Sequence, residues 1–576
     1  MAAYRMSCDT DEQIARQLQA KFDEENGNNS SDSDKTMSED ELKEMQIQIT
    51  KDLKKSKTKP TKTIIVHEIS DSDEDDEPSP PPPKKIQNQR VVVHDLSDSS
   101  SDSEKPNQTK LKRKLTEDLP LCQFGSECYR KNPSHRKKFR HEDLPELEAK
   151  RNNLGVNSSD ESCFTSNLFG FYVTKVSGIP NEYNMTGAIG IKDILSEKMG
   201  NLMESAQFSY MHDIEWIINQ YPTQFRSNPL LLVHGEQRES KKALTREASG
   251  YPNITLCQAK LEIPFGTHHT KMMILMYDNG LRIVIHTANL IHGDWHQKTQ
   301  GVWVSPVFPI LSQSDAASSG ESSTNFKKDF IEYLSAYNSP ELNVWIARIK
   351  RHNLSSANVF LIGSTPGRHT GAKMSTYGHL KLRKVLKQNG PKSTIITPDW
   401  NVIGQFSSIG SLGPSPDLWL NKEFLISLSA TKQTTPTKSP KLQLIFPCVE
   451  NVRLSLEGYP AGGNLPYSNE VAKKQPWLNK YFHQWQSKIR GRSTAWGSME
   501  KSGTQFMIRS YELGVLFLPN NINGSDTIKL AKSNDSSDFC MPYDVPLTPY
   551  SSYDEPWIWN IAHKALPDRH GNMWCK

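Results

Sequence analysis

Beyond about Gly170 the chain alternates short apolar, β-branched runs with segments of helical period. LLLVHG at 230–235, IVIHTANLI at 283–291, NVFLIG at 358–363 and LQLIFP at 442–447 read as strands. DILSEKMGNLMES at 193–205 and FKKDFIEYLSAYN at 326–338 read as helices interleaved with them. Two periods alternating in this way predict a mixed α/β sandwich. The first part of the chain has no such rhythm. Residues 23–120 are dominated by Ser, Asp, Glu, Lys and Pro, as in DSDEDDEPSPPPPKK at 71–85. A segment of that composition buries too little apolar surface to offset its chain entropy, so disorder is expected. One short amphipathic stripe precedes it: DEQIARQLQAKFDEE puts Ile14, Leu18 and Phe22 on one helical face with Ala15 beside them.

Composition adds a charge split. The chain has 576 residues and a formal charge of only +4. Residues 1–100 hold 22 acidic against 14 basic side chains, a net of −8, which leaves +12 on residues 101–576. An acidic head on a basic body suggests a body that meets a polyanion. The 12 Trp, 18 Tyr and 20 Phe, nearly all beyond residue 120, suffice for a large core. No run of 18 apolar residues exists, which excludes an ordinary transmembrane helix, and no membrane partner is expected. The start, MAAYRMSCDTDEQ, has neither a basic nor an apolar signal region, so no secretory signal is read. Eight cysteines, mostly scattered singly, fit an intracellular, reduced chain. KLKRK at 110–114 is a candidate nuclear localisation signal or a solvated charge run, and a nuclear location is expected, with the cytoplasm as a second.

Two islands interrupt the acidic head and repeat each other at an offset of 27: TIIVHEISDSDED from Thr63 and RVVVHDLSDSSSD from Arg90. A β-branched run followed by acids suits strand addition to a partner's sheet edge, with the acids meeting a basic rim. Both islands resemble SUMO-interacting motifs, and low-complexity drift is the alternative. The Ile14–Phe22 stripe looks like a ubiquitin-interacting helix, or equally a nascent helix without a partner.

Between the head and the body, Cys122, Cys128, His135 and His141 stand at spacing C-x5-C-x6-H-x5-H. Two thiolates and two imidazoles within this span can close a tetrahedral zinc site. The six residues between the second Cys and the first His are too few for a groove-reading finger. Phe124, Gly125, Tyr129, Arg130, Asn132 and Pro133 look like the corresponding residues of the poly(ADP-ribose)-binding zinc finger. Tyr129 can stack an adenine while Arg130, Arg136, Lys137 and Lys138 meet phosphates. The alternative is a purely structural zinc knot.

The densest chemistry lies in FGTHHTKMMILMYDNGLRIVIHTANLIHGDWHQKTQG, residues 265–301. It predicts His269-Thr270-Lys271 on a strand, a turn at 278–280, and a second strand ended by Asn289. Period 2 places His269 and Lys271 on one face. A neutral nucleophile, a cation and an amide donor then surround one point, as a phosphodiester phosphorus requires. His379-Leu380-Lys381 repeats the H-x-K spacing, but GHLKLRKVLKQ reads as a basic helix, DNA-facing or solvated, and no second active half.

The 265–301 block resembles the first catalytic motif of the tyrosyl-DNA phosphodiesterases, in the phospholipase D superfamily. The resemblance runs from about Phe164 to the C-terminus, through ENVRLSLEGYPAGGNLPYS at 450–468, GTQFMIRSYELGVLFLP at 503–519 and PWIWNI at 556–561. It implies a two-lobed, pseudo-symmetric α-β-α sandwich with one His-Lys-Asn set per lobe. The expected organisation is a disordered acidic region over 1–118, the zinc module over 119–145, a first lobe over 160–360 and a second over 361–576. By this resemblance His269 attacks the phosphorus joining a DNA 3′ end to its adduct, and Lys271 with Asn289 holds the non-bridging oxygens. Phe265 would stack a base, Tyr210 would border the adduct, and Ser408 and Ser411 would hold phosphates. Glu512 would fix the tautomer of His269, and Gln300 that of a second histidine. No catalytic cofactor is implied, and the zinc is structural.

The second H-x-K is missing. YFHQWQSKIRGRS at 481–493 runs directly into TAWGSMEKSGTQ from Thr494, where the family has two strands and a link, on the order of 30 residues. The flanks on both sides are intact, which looks like a skipped exon or a gene-model gap. Without the second histidine the expected enzyme is impaired in turnover. A non-catalytic scaffold binding poly(ADP-ribose), SUMO and DNA ends is the alternative. His483, His563 and His570 stand near the junction outside any H-x-K context.

Overall fold

The structure, a computed structural model, describes residues 167–576 apart from 186, 265, 317, 398, 433–438, 487–497, 501–504, 531–537, 540 and 576. The acidic head, both islands, the expected zinc ligands Cys122, Cys128, His135 and His141, Phe265, and the Ser493–Thr494 junction therefore lie outside the described residues.

An eight-stranded mixed sheet organises the first half. Its strands are β1 (Phe171–Thr174), β2 (Ala188–Ile189), β3 (Leu202–Phe208), β4 (Leu230–His234), β5 (Ile254–Gln258), β6 (Met272–Tyr277), β7 (Gly280–His286) and β8 (Gly301–Val304). Their order is β2-β1-β8-β7-β6-β3-β4-β5. The neighbours from β1 through β8, β7 and β6 to β3 run antiparallel, whereas β3, β4 and β5 run parallel, like β1 with β2. A strand buried on both faces reads as an unbroken apolar run, and MMILMY in β6 does so. Met272 and Ile274 enter one core layer, with Ile283, Phe326, Phe330 and Trp345. Met273 and Leu275 enter the opposite layer, with Ile194, Ile217 and Val302. Helices α1 (Phe326–Ser335) and α2 (Pro340–Lys350) cover the first layer. The β6–β7 hairpin closes on Tyr277 and Gly280. Gly280 has φ +150°, and a Cβ there would stand 2.5 Å from Phe308 O, so only glycine fits.

The helix expected over 193–205 is corrected. Ile191–Ile194 and Glu197–Met199 make one turn each, Gly200 breaks the run, and Leu202 onward is β3 between β6 and β4. Burial on both sides of that strand outweighs its local propensity.

The second half builds smaller sheets from β9 (Phe360–Ser364), β10 (Gly367–Thr370), β11 (Val402–Gln405), β12 (Leu442–Ile445), β13 (Phe482–His483), β14 (Ser498–Glu500), β15 (Gln505–Ile508) and β16 (Glu512–Leu516). They group as β10-β15-β14, β11-β12-β13 and β16-β9. Leu361 of β9 and Leu513 of β16 join the core layer under α1 and α2, so this pair is continuous with the first sheet's packing. A separate aromatic core, including Phe446, Tyr467, Phe482 and Trp557, holds β12, β13 and the C-terminal segment. No helix of the described residues is long and apolar enough to cross a membrane.

Candidate active site

Residues 268–271 lie just ahead of β6 rather than within it, yet they sort onto two sides as strand alternation requires. His268 and Thr270 face the core. His268 Nδ1–H donates to Ser209 O at 3.1 Å, its Nε2 accepts from Tyr337 OH at 3.0 Å, and Thr270 Oγ1 meets Tyr333 OH at 2.5 Å. Burial holds the His268 imidazole neutral, pushed down to about 3. His269 and Lys271 face the opposite way, toward Tyr210. The Tyr210 and His269 ring centroids are 5.5 Å apart, and Lys271 Nζ stands 5.9 Å from the Tyr210 ring.

A second segment from far along the chain completes the site. His269 N donates to Tyr511 O at 3.0 Å, and Tyr511 N donates to Thr267 O at 2.9 Å. Thr267 N donates to Ser510 Oγ at 3.3 Å. Gly266 permits the approach, since a Cβ there would fall 2.5 Å from Arg509 O. This pairing sets Glu512, the first residue of β16, beside His269, with Glu512 Oε1 3.0 Å from Nδ1. A carboxylate only accepts, so Nδ1 carries the proton and the Nε2 lone pair faces outward on a ring that is 44% exposed.

Lys271 is buried. Its Nζ donates to His269 O at 2.9 Å. Burial lowers its pKa to about 8, against the opposing pull of the Glu512 and Asp294 carboxylates. Asn289 stands three residues past the end of β7, where the sequence pattern had put it at the strand's end. Its backbone N donates to Asp294 Oδ2 at 2.8 Å and its Nδ2 to the same oxygen at 3.0 Å. Asp294 Oδ1 in turn accepts from Lys298 Nζ at 3.1 Å. Asp294 and Lys298 were missed in the sequence, although an acid and a lysine at i,i+4 inside the motif block were a legible signal.

Gln300 is buried, and its Oε1 accepts from Thr287 Oγ1 at 2.6 Å, within its own half. Ser408 and Ser411 are exposed on the loop after β11. The H-x-K at 379–381 does lie on a helix, α3 (Gly378–Asn389), with Lys384 and Lys387 exposed, but the His379–Lys381 pair itself does not face solvent. His379 is fully buried with Nδ1 2.8 Å from Ser427 Oγ, and Lys381 Nζ pairs with Asp329 Oδ2 at 2.8 Å. His483 is buried between Tyr481 O and Gln443 Nε2, and His563 stacks on Trp557. His570 Nε2 donates to Leu456 O at 2.7 Å.

The two halves share a local pattern. Gln300 directly precedes β8, which pairs antiparallel with β1; Glu512 opens β16, which pairs antiparallel with β9. On its other side β8 holds β7 and then β6, the hairpin flanked by Lys271 and Asn289. Among the described residues β16 has β9 alone as a sheet partner.

A mixed sheet presenting one such histidine–lysine–asparagine set is the first half of a phospholipase D-type phosphodiesterase. The family model for tyrosyl-DNA phosphodiesterase matches residues 170–494 and 491–551, and a PBZ domain model matches 119–146. The chain is 34% identical to tyrosyl-DNA phosphodiesterase 1 of Drosophila melanogaster over 433 residues, covering 68% of this chain and 73% of that protein. It is 32% identical to tyrosyl-DNA phosphodiesterase 1 of Arabidopsis thaliana over 481 residues, covering 70% and 76%. A crystal structure of the yeast tyrosyl-DNA phosphodiesterase aligns at 18% identity with a TM-score of 0.49, covering 67% of this chain and 98% of that one. The chain belongs to the tyrosyl-DNA phosphodiesterase family.

Proposed function

We propose that this chain acts on 3′-phosphotyrosyl and other blocked 3′ DNA ends through a covalent phosphohistidine on His269, and that it turns over poorly. The observation that carries this reading is the His269–Glu512 pair beside the buried Lys271. In the first step the Nε2 lone pair attacks phosphorus, an N–P bond forms and the P–O bond to the adduct breaks. The departing oxygen takes its proton from solvent, because no second H-x-K histidine supplies one. Lys271 and Asn289 would hold the non-bridging oxygens. In the second step water attacks phosphorus and the N–P bond breaks, again without a positioned base. General acid–base help is worth about 10²–10⁴-fold per step, so the intermediate accumulates. The overlapping family matches at 491–494 and the single sheet partner of β16 among the described residues support an excised second hairpin. They equally favour the second reading, a scaffold that binds DNA ends without turnover.

The PBZ match and the two-thiolate, two-imidazole donor set suit a structural zinc and poly(ADP-ribose) as a partner. SUMO at the two islands, ubiquitin at the Ile14–Phe22 stripe and a nuclear location complete the proposal. The test uses the full chain with 3′-nitrophenyl and 3′-tyrosyl oligonucleotides on a denaturing gel. We expect a covalent DNA–protein band that vanishes in His269→Ala, forms faster with the better nitrophenolate leaving group, and releases little product. Multiple turnovers would overturn the excision reading. Binding with neither adduct nor product would favour the scaffold.

A further inference from the structure

We propose that Asp294 is a positioning residue that turns the Asn289 amide toward the phosphate site, with Lys298 as the counter-ion that lets a carboxylate sit there. The proposal rests on reading His269, Lys271 and Asn289 as the phosphate-handling group.

An asparagine amide presents either an acceptor or a donor, and only the donor stabilises a developing oxyanion. Asp294 Oδ2 sits 3.0 Å from Asn289 Nδ2 and 2.8 Å from Asn289 N. Because a carboxylate only accepts, the flipped amide would set two acceptors against each other. One Nδ2 hydrogen is thereby engaged and the second is left over, while Asn289 Oδ1 is buried without a hydrogen-bond partner among the described residues. The backbone is gripped as well: Trp295 Nε1 donates to Asn289 O at 2.9 Å, and Leu290 N donates to Met211 O and Ser209 Oγ, each at 3.1 Å. Asp294 and Lys298 are 9% and 8% exposed, and a buried ion pair is weak evidence for stability, since neutral replacements often fold as well. Its use here is directional. Asp294 also acts on Lys271 through space, where its charge and that of Glu512 favour the protonated amine, while the neutral imidazoles of His268 and His286 lie nearby.

The test compares the full wild-type chain with Asp294→Asn and with Asp294→Asn/Lys298→Met. The single variant strands a buried ammonium and should melt early. The double variant removes both charges and should regain the wild-type melting temperature. A role in positioning leaves adduct formation on a 3′-nitrophenyl oligonucleotide about 10²-fold slower in both, because misplaced donors cost rate independently of stability. It also lowers the titration midpoint of the Lys271 amine, followed by lysine-selective ¹³C NMR. A double variant that regains rate along with stability would overturn the proposal. If the wild type forms no adduct, the phosphodiesterase reading fails instead. The Lys271 midpoint then decides on its own: lowered in the double variant it supports the link from Asp294, unchanged it ends it.

Discussion

His269 Nδ1 lies 3.0 Å from Glu512 Oε1, a contact between the segment that leads into β6 and the start of β16. The carboxylate keeps the proton on Nδ1 and the lone pair on Nε2, which is the tautomer a nucleophile needs. Backbone pairing of residues 267–269 with 510–511 delivers the two side chains to each other, so the pair is built by the fold before any ligand arrives.

Glu512→Gln keeps the size of the side chain but can donate to Nδ1 as readily as accept, which frees the wrong tautomer. The rate of adduct formation should fall by about 10²-fold. Single-turnover gels on wild type and variant measure it. Equal rates would show that Glu512 does not orient the ring.

Lys271 should impose an alkaline limb on the first step. Its pKa is depressed from 10.5 to about 8 by burial, so the ammonium is present below about 8 and is lost as pH rises through that value. The second-order rate constant for adduct formation, which reports the free enzyme, should therefore decline above about pH 8. A flat profile to pH 10 would contradict the assignment of Lys271 as the phosphate's cation.

The same burial makes Lys271 a liability for stability. The folded pKa is below the unfolded one, so the unfolded chain binds more protons between about 8 and 10.5, and the penalty is fully present below about 8. Lys271→Met should abolish adduct formation yet stabilise the fold at neutral pH. The gain is about 2 kcal/mol, after about 1 kcal/mol is deducted for the lost bond to His269 O. Denaturant unfolding at pH 7 and pH 10 checks the sign: the variant's advantage should shrink at the higher pH.

The zinc module should bind one metal ion and then poly(ADP-ribose). Metal analysis of a fragment spanning residues 115–145 should find stoichiometric zinc, and Cys128→Ala should lose both metal and polymer. Polymer binding that survives the substitution would assign the affinity elsewhere.

Each β-branched island should take up SUMO weakly, and the tandem should gain by effective concentration. A chemical-shift titration of residues 60–105 should perturb both islands, and alanine at Val91, Val92 and Val93 should silence one. A spectrum unmoved by SUMO would end the idea.

What the chain settles by itself is whatever depends on spacing within one element. The sorting of His269 and Lys271 against His268 and Thr270 is legible as alternation, although the four residues precede β6, and the unbroken MMILMY run declares a strand with both faces covered. The PBZ match at 119–146 is legible for the same reason, since the Cys and His positions that suggest it fall within a single short stretch. Contacts between elements are another matter. Glu512 was legible only through family resemblance, because nothing local ties residue 512 to residue 269 until strand pairing brings β16 to β9 and Tyr511 to Thr267. Asp294 drew no reading from the sequence, and only the fold shows Lys298 and Asn289 closed around it. The helix that carries Lys381 read as DNA-facing or solvated, and only the fold shows Asp329 of α1 paired with that lysine. Residues 202–205 read as helix until pairing with β6, joined by β4 from Ser205 onward, drew them into a strand. Backbone periodicity is written along the chain, whereas the partner of a buried charge is set by which segments the sheet and its covering helices press together.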